Sequence, residues 1–271
     1  MADQRPIGVF DSGVGGLTVL RAVRELLPLE RTVYLGDTAR VPYGTRSAAT
    51  VEKYALNNAR TLVQQGDIKA LVVACNTASA VALPALRATL SVPVLGVIEP
   101  GARAALAASR GGTIVVLGTA GTVRSEAYPR ALHALGHTGD VFARACPLLV
   151  PLVEEGWLHG DIPRLVVEQY LHDLPTDVDT VVMGCTHYPL VRPVLRAALP
   201  EQVALVDGAV ATARELAALL AERGLARTGP APAHRLLVTD APEQLARLSG
   251  AFLGVQVAQS DVELVDVLMT A

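Results

Sequence analysis

The sequence lacks a strong excess of charge of either sign. Its 271 residues include 23 lysine and arginine residues against 26 aspartate and glutamate residues, which gives a formal net charge of −3. A protein that binds nucleic acid through the phosphate backbone carries a basic surface. We therefore expect no direct nucleic-acid partner.

The sequence also lacks an apparent leader and a membrane-spanning run. The first residues, MADQRPIGVFDSG, have neither the basic start nor the apolar core of a secretory signal. No stretch reaches the roughly 18 uninterrupted apolar residues that a spanning helix needs. We expect a soluble, cytoplasmic protein that has no membrane partner.

Cysteine is scarce. The chain has Cys75, Cys146 and Cys185, far apart in sequence. An odd number of separated cysteines argues against a disulfide framework and leaves the thiols free in a reducing compartment. Reactive thiols are therefore compatible with this composition.

What the sequence does contain is an alternation of short apolar runs with longer Ala/Leu-rich segments, which is typical of an α/β fold with mostly parallel sheets. Strands are predicted at 7–10, 32–35, 70–74, 92–96, 113–117, 140–143, 180–183, 204–206 and 236–239, with a weaker one at 255–258. Helices are predicted at 17–27, 48–65, 102–108, 125–135, 163–171, 193–198 and 209–223.

Three predicted strands recur in the same order later in the chain. IGVFDSG at residue 7 matches IVVLGTAG at 114, TVYL at 32 matches DVFA at 140, and ALVVACNT at 70 matches TVVMGCTH at 180. Such a constant spacing predicts two similar α/β lobes related by a pseudo-twofold axis, with the active site in the cleft between them. The tail is short for a separate domain. We predict one domain of residues 1–97 plus 209–271 and a second of residues 98–208.

The repeat gives Cys75 and Cys185 equivalent positions, each at the carboxyl end of a predicted central strand. Open α/β sheets bind their ligands at that edge. If the lobes face each other, one pocket has a thiol on each wall, which suits removal of a proton from one face of a carbon and its return to the other. A nearby helix start or polar neighbours favour the thiolate. Cys146 has no cysteine at the matching place and is expected to be structural.

Four motifs together resemble the glutamate racemases of the aspartate/glutamate racemase family: VFDSGVGGLTV at 9–19, GDTARVPYG at 36–44, ACNTAS at 74–79 and GCTHYPL at 184–190. The resemblance extends to about residue 224. It implies cofactor-independent interconversion of L-glutamate and D-glutamate for peptidoglycan synthesis, with Cys75 and Cys185 alternating as base and acid. It also implies a homodimer and no metal.

The resemblance further implies the other site residues. Asp11 is expected to act on Cys75, and His187 with a carboxylate of LVEEG on Cys185; of the two candidates we favour Glu154 over Glu155. Substrate contacts are expected from Asp11, Ser12, Tyr43, Gly44, Asn76, Thr77, Thr186 and His187.

Several alternatives stay open at this stage. Asp11 is equally suited to cap the first helix. The two active-site thiols could form a redox pair, or bind zinc together with His187. A two-lobed binding protein without turnover would share the fold. Within the enzyme class the alternative is aspartate racemase or another amino-acid racemase of the same group, although the HYPL run favours glutamate.

The glycines of the first motif also have two interpretations. Gly13, Gly15 and Gly16 resemble a phosphate-binding loop, but position 18, where that motif requires glycine, is Thr18. We expect them instead to allow a close backbone approach to the substrate and a tight turn into the helix.

Overall fold

The computed structural model describes residues 3–229 and 233–267. Its strands are β1 (Ile7–Asp11), β2 (Thr32–Gly36), β3 (Ala70–Val73), β4 (Val94–Gly96), β5 (Thr113–Gly118), β6 (Val141–Ala145), β7 (Val178–Gly184), β8 (Ala204–Asp207), β9 (Arg235–Val238) and β10 (Val262–Leu264). Its helices are α1 (Leu17–Leu26), α2 (Ala48–Gly66), α3 (Asn76–Thr89), α4 (Ile98–Ala108), α5 (Ala120–Arg124), α6 (Ala127–Ala134), α7 (Leu149–Glu154), α8 (Asp161–Leu171), α9 (Arg192–Ala198), α10 (Ala209–Glu222) and α11 (Pro242–Leu253).

The strands form two sheets. One has six strands in the order β10-β9-β2-β1-β3-β4, and the other has four in the order β6-β5-β7-β8. All pairings between the described strands are parallel. Helices cover such sheets on both faces, so the central strands are mostly apolar, and every residue of β1 and β5 is buried, including Asp11 at the end of β1. The predicted α/β class with parallel sheets is confirmed.

The two sheets repeat one strand order. The order β2-β1-β3-β4 in the first sheet corresponds to β6-β5-β7-β8 in the second. Ile7 lies opposite Ala70 in the first sheet, and Ile114 lies opposite Thr180 in the second. The spacings of 107 and 110 residues that the sequence comparison used for these strands therefore agree with the register.

The spacing of 108 residues between the strands at 32 and 140 is one residue too short. Ile7 pairs with Thr32 in the first sheet, whereas its counterpart Ile114 pairs with Val141 rather than with Asp140. The match of residue 32 with residue 140 was therefore wrong by one position. The run DVFA begins one residue before the strand, and the apolar pattern alone did not fix where pairing starts.

The C-terminal tail adds to the first sheet. β9 pairs with β2, and β10 pairs with β9, while α10 and α11 both pack on α1. The weak strand predicted at 255–258 is wrong, because these four residues form no strand and the nearest strand, β10, begins at Val262. The exact domain limits stay a prediction.

The largest hydrophobic cluster contains residues of both sheets, among them Val9 and Val72 of the first and Val115 and Val181 of the second. The two sheets thereby share one hydrophobic core. No helix in the described part of the chain is long and apolar enough to cross a membrane.

Candidate active site

A cavity of about 440 Å³ lies where the central strands of both sheets end. Cys75 follows β3 and is the N-cap of α3. Cys185 follows the last residue of β7. Both thiols line the cavity and are more than nine-tenths buried. The structure thus brings the two cysteines that the repeat paired to the walls of one pocket.

Most of the other predicted site residues also line this cavity: Ser12, Tyr43, Gly44, Asn76, Thr77, Glu154, Thr186 and His187. Asp11 does not. It is the last residue of β1 and is fully buried, so its carboxylate lies behind the cavity wall. It is not the helix cap either, because α1 begins after Gly16.

The wall around Cys75 is uncharged at its surface. The Cys75 Sγ donates a hydrogen bond to Ser12 Oγ at 3.5 Å, and Asp11 Oδ2 accepts one from the Gly13 amide at 2.9 Å. Burial, and next the nearby Asp11 charge, raise the pKa of Cys75 to about 12. Burial also raises the pKa of Asp11. Cys75 is therefore a thiol at neutral pH, and its thiolate is a strong base.

The wall around Cys185 carries a chain of three polar groups. Cys185 Sγ lies 3.9 Å from His187 Nδ1, and His187 Nε2 lies 2.9 Å from Glu154 Oε1. Burial of the ring disfavours its charge, but the contacts with Cys185 and Glu154 outweigh it and raise the pKa of His187 to about 10. An imidazolium at neutral pH stabilises negative charge on Cys185 Sγ.

The structure distinguishes the two acidic candidates. Glu154 contacts His187, whereas Glu155 lines the same cavity from an exposed position. The carboxylate favoured from the sequence is the one within hydrogen-bond distance of the histidine.

Residues of α11, which are distant in sequence, help to hold the His187 ring and its partner Glu154 in place. The Phe252 ring of α11 meets the His187 ring edge-on, with centroids 5.2 Å apart, and Arg247 of the same helix donates to the backbone carbonyl of Glu154 at 3.3 Å. On another side, a Cβ at Gly15 would lie 2.5 Å from His187 Nδ1. Gly15 is therefore needed for this close approach. The sequence had no local signal for the contacts from α11.

Tyr43 is a predicted substrate contact, but its hydroxyl is already bonded to other residues of the protein. Its hydroxyl donates to Asp37 and accepts from Asn58 Nδ2 at 3.0 Å, and both partners are fully buried. The hydroxyl thus anchors the segment that carries Gly44. The Tyr43 ring packs against Tyr54, with centroids 5.6 Å apart.

Sequence reasoning missed Thr119. Its hydroxyl lies 2.8 Å from that of Thr77 and 3.1 Å from that of Thr122, and it lines the cavity. The repeat contained the signal, because the alignment of residue 7 with residue 114 also aligns Ser12 with Thr119.

The cavity has few fixed charges. Among the described residues, no lysine or arginine lines it, and much of the remaining wall is apolar: Val41, Pro42, Pro147, Val150 and Pro151. The donors available to an anion are hydroxyls, amides and His187. The first turn of α3, which follows Cys75, leaves backbone N–H groups without an acceptor inside the helix.

The three cysteines are free thiols. Within residues 3–229 and 233–267, no group of three or more histidine, cysteine, aspartate or glutamate side chains is placed to hold a metal ion. Cys75, Cys185 and His187 thus do not form the zinc site considered from the sequence.

Two parallel sheets with a repeated strand order and a cysteine at each matching strand end define a racemase of the aspartate/glutamate type. The description "Asp/Glu/Hydantoin racemase" belongs to a family model that matches residues 16–216, and the chain belongs to this family. Within it, the chain is 52% identical to glutamate racemase from Geobacter metallireducens over 92% of this chain and 93% of that protein.

Solved structures agree. A glutamate racemase from Bacillus anthracis superposes with a TM-score of 0.93 at 41% identity, covering 98% of both chains. Glutamate racemase from Francisella tularensis, solved in complex with D-glutamate, gives a TM-score of 0.90 at 36% identity and covers 98% of both chains. The family predicted from the sequence motifs is confirmed.

Proposed function

We propose that the protein is a glutamate racemase that interconverts L-glutamate and D-glutamate with two cysteines as acid and base. The observation that carries this proposal is the single cavity with Cys75 and Cys185 at matching strand ends. The names of the relatives support glutamate as the substrate. Aspartate racemase, the alternative from the sequence, is not favoured.

The chemistry requires a base on one face of the α-carbon and an acid on the other. A thiolate removes the α-proton and becomes a thiol, while the opposite thiol gives its proton to the other face and becomes a thiolate. The two walls thus exchange protonation states in one turnover, and the product state is ready for the reverse reaction. No proton is gained or lost.

The groups that surround Cys75 differ from those that surround Cys185, so the two thiolates are stabilised to different degrees. His187, with Glu154 behind it, stabilises the thiolate form of Cys185. Ser12 and the amide of Ala78 oppose the effects of burial and of Asp11 on Cys75. The negative charge of Asp11 makes the Cys75 thiolate more basic, which favours removal of a weakly acidic α-proton.

Glutamate brings two carboxylates into a cavity without lysine or arginine among its described lining residues. We assign their recognition to oriented neutral donors: the first-turn amides of α3, the Tyr43–Gly44 backbone, and the side chains of Asn76 and Thr186. Of these donors, the first-turn amides of α3 also stabilise the negative charge that develops on the substrate carboxylate as the α-proton leaves.

The cellular role forms part of the same proposal. The product D-glutamate would supply peptidoglycan synthesis in the cytoplasm, and we propose a homodimer as the working form. Sedimentation of the purified protein tests the oligomeric state.

The activity test uses the purified protein in deuterium oxide, with each glutamate enantiomer and without pyridoxal phosphate. We expect incorporation of deuterium at the α-carbon and loss of optical rotation. L-aspartate is the matched control substrate and should retain its rotation. Racemisation of aspartate but not of glutamate would overturn the proposed substrate.

The cysteines are tested with Cys75→Ser and Cys185→Ser. Each variant should lose racemisation, yet still catalyse elimination from one enantiomer of a glutamate analogue with a leaving group at the β-carbon, because that reaction needs one base. Full racemisation by either variant would contradict the two-base scheme. Cys146→Ser is the control, because Cys146 is buried and does not line the cavity.

A further inference from the structure

A buried hydrogen bond joins the two sheet units directly behind the cavity. The Tyr128 hydroxyl of α6 donates to Asn76 Oδ1 at 2.8 Å. Tyr128 lies beside the second sheet, in a cluster with Ile114 and Val182, whereas Asn76 begins α3, which follows β3 of the first sheet. Both side chains are more than nine-tenths buried.

This bond fixes the direction of the Asn76 amide. The side chain has one acceptor end, Oδ1, and one donor end, Nδ2. A buried hydroxyl group needs an acceptor for its proton. Among the described residues, Asn76 Oδ1 is the acceptor for the Tyr128 hydroxyl. With Oδ1 held by Tyr128, the end left for a ligand is the Nδ2 donor.

Asn76 lies where such a donor has a use. It is next to Cys75 and lines the main cavity together with Thr77 and Thr186. A reversed amide would present an oxygen to an anionic substrate, in a cavity whose described lining has no lysine or arginine to compensate.

We propose that Tyr128 is a positioning residue that holds Asn76 with its amide donor directed at a carboxylate of the substrate. The inference rests on the proposed glutamate racemase function and adds a residue that does not line the cavity. Because the bond crosses between the two sheet units, it also ties the position of α3 to the second sheet.

Gly101 of α4 sets the place of the hydroxyl. A Cβ at Gly101 would lie 2.9 Å from the Tyr128 hydroxyl oxygen, closer than ordinary contact. Gly101→Ala should therefore displace the hydroxyl from Asn76 without removing it. Since alanine is the better helix former, this variant should not unfold α4.

The experiment measures KM and kcat for both enantiomers with Tyr128→Phe and Gly101→Ala. We expect KM to rise about 3- to 10-fold in each variant, the size expected from one misplaced hydrogen bond, while kcat changes by less than about twofold. Tyr170→Phe is the control and should leave KM unchanged, because the Tyr170 hydroxyl accepts from the Leu148 amide outside the cavity lining.

A double-mutant cycle separates positioning from general destabilisation. In an Asn76→Ala background, Tyr128→Phe should raise KM no further, because its effect passes through the missing amide. An equal KM effect in both backgrounds would overturn the inference, as would a Tyr128→Phe variant with a lower melting temperature but wild-type KM. Failure of the wild-type protein to racemise glutamate would instead reject the proposed function.

Discussion

The contact between Glu154 and His187 makes a sharp test of the proposed acid–base chemistry. Glu154→Gln keeps the size and hydrogen-bonding capacity of the side chain but removes its charge. The contact is 2.9 Å long, and the exposed fractions of the two side chains are 8% for His187 and 29% for Glu154. A charge-assisted hydrogen bond in such a position contributes about 1.5–3 kcal/mol. We therefore expect kcat/KM to fall roughly 10- to 150-fold.

Comparison of kcat/KM for the forward and reverse reactions provides an internal check of the measurement. Because the two enantiomers have equal free energy, the equilibrium constant is one, and kcat/KM must fall by the same factor in both directions. Unequal losses would reveal a measurement artefact. Glu155→Gln is the matched control and should keep the wild-type pH dependence of kcat/KM, since Glu155 is an exposed neighbour that does not contact His187 through a described hydrogen bond.

The pH profile tests the cause. In the wild type, His187 with a pKa raised to about 10 stays charged through neutral pH, so the loss of activity that its deprotonation causes should occur near that value. Removal of the Glu154 charge lowers this pKa and should shift the alkaline limb to lower pH. The contacts of the His187 imidazolium with Cys185 and Glu154 together stabilise the fold fully below pH 6.5, and their contribution is lost as the pH rises through about 10. Wild-type kcat/KM and an unmoved alkaline limb in Glu154→Gln would refute this reasoning.

Two further predictions concern other contacts. Gly15→Ala should lower kcat roughly 100-fold with the fold retained, because the new Cβ displaces His187; near-normal kcat, with folding checked by circular dichroism, would show that the ring accommodates it. Lys69→Met should reduce the free energy of unfolding in urea by about 3–5 kcal/mol, because it leaves Glu30 as an unpaired buried charge in a pair with exposed fractions of 0% and 4%. Arg164→Ala, which removes an exposed pair with Glu168, should reduce the free energy of unfolding far less, and equal losses in the two variants would contradict the argument.

The central sheets could be predicted because their strands are buried on both faces. Such strands are continuous apolar runs, and the runs near residues 7, 70, 114 and 180 are the ones that pair at the centres of the two sheets. The predicted helix 125–135 corresponds to α6 (Ala127–Ala134). This helix begins after Glu126, whose backbone is left-handed with φ of 54°, and the separate short helix α5 ends before it at Arg124.

Helices α3, α5, α7 and α11 were not predicted. α3 contains Pro84 and many small residues, so its sequence lacks the usual helix pattern, and tertiary packing against α2 overrides that weak propensity. α7 is six residues long and contains Pro151, which leaves too little sequence for a period to appear.

The candidate site was predictable where its residues lie in motifs and not where they come from distant segments. Cys75, Cys185 and His187 occupy strand ends that the repeat marks. Phe252 reaches His187 from the C-terminal tail, a contact that only tertiary packing produces. Tyr128 acts through Asn76, and no spacing in the sequence relates residue 128 to residue 76.

The absence of lysine and arginine from the described cavity lining also affects which molecules the site attracts. The field of an oriented dipole falls off with distance faster than that of a charge, so neutral donors act on an anion only once it is inside. Dissolved salt should therefore weaken substrate binding little. Without lysine or arginine in its described lining, such a pocket does not attract phosphorylated metabolites over a long range. A small dicarboxylate is then preferred over them because its shape matches the pocket, and not because of its charge.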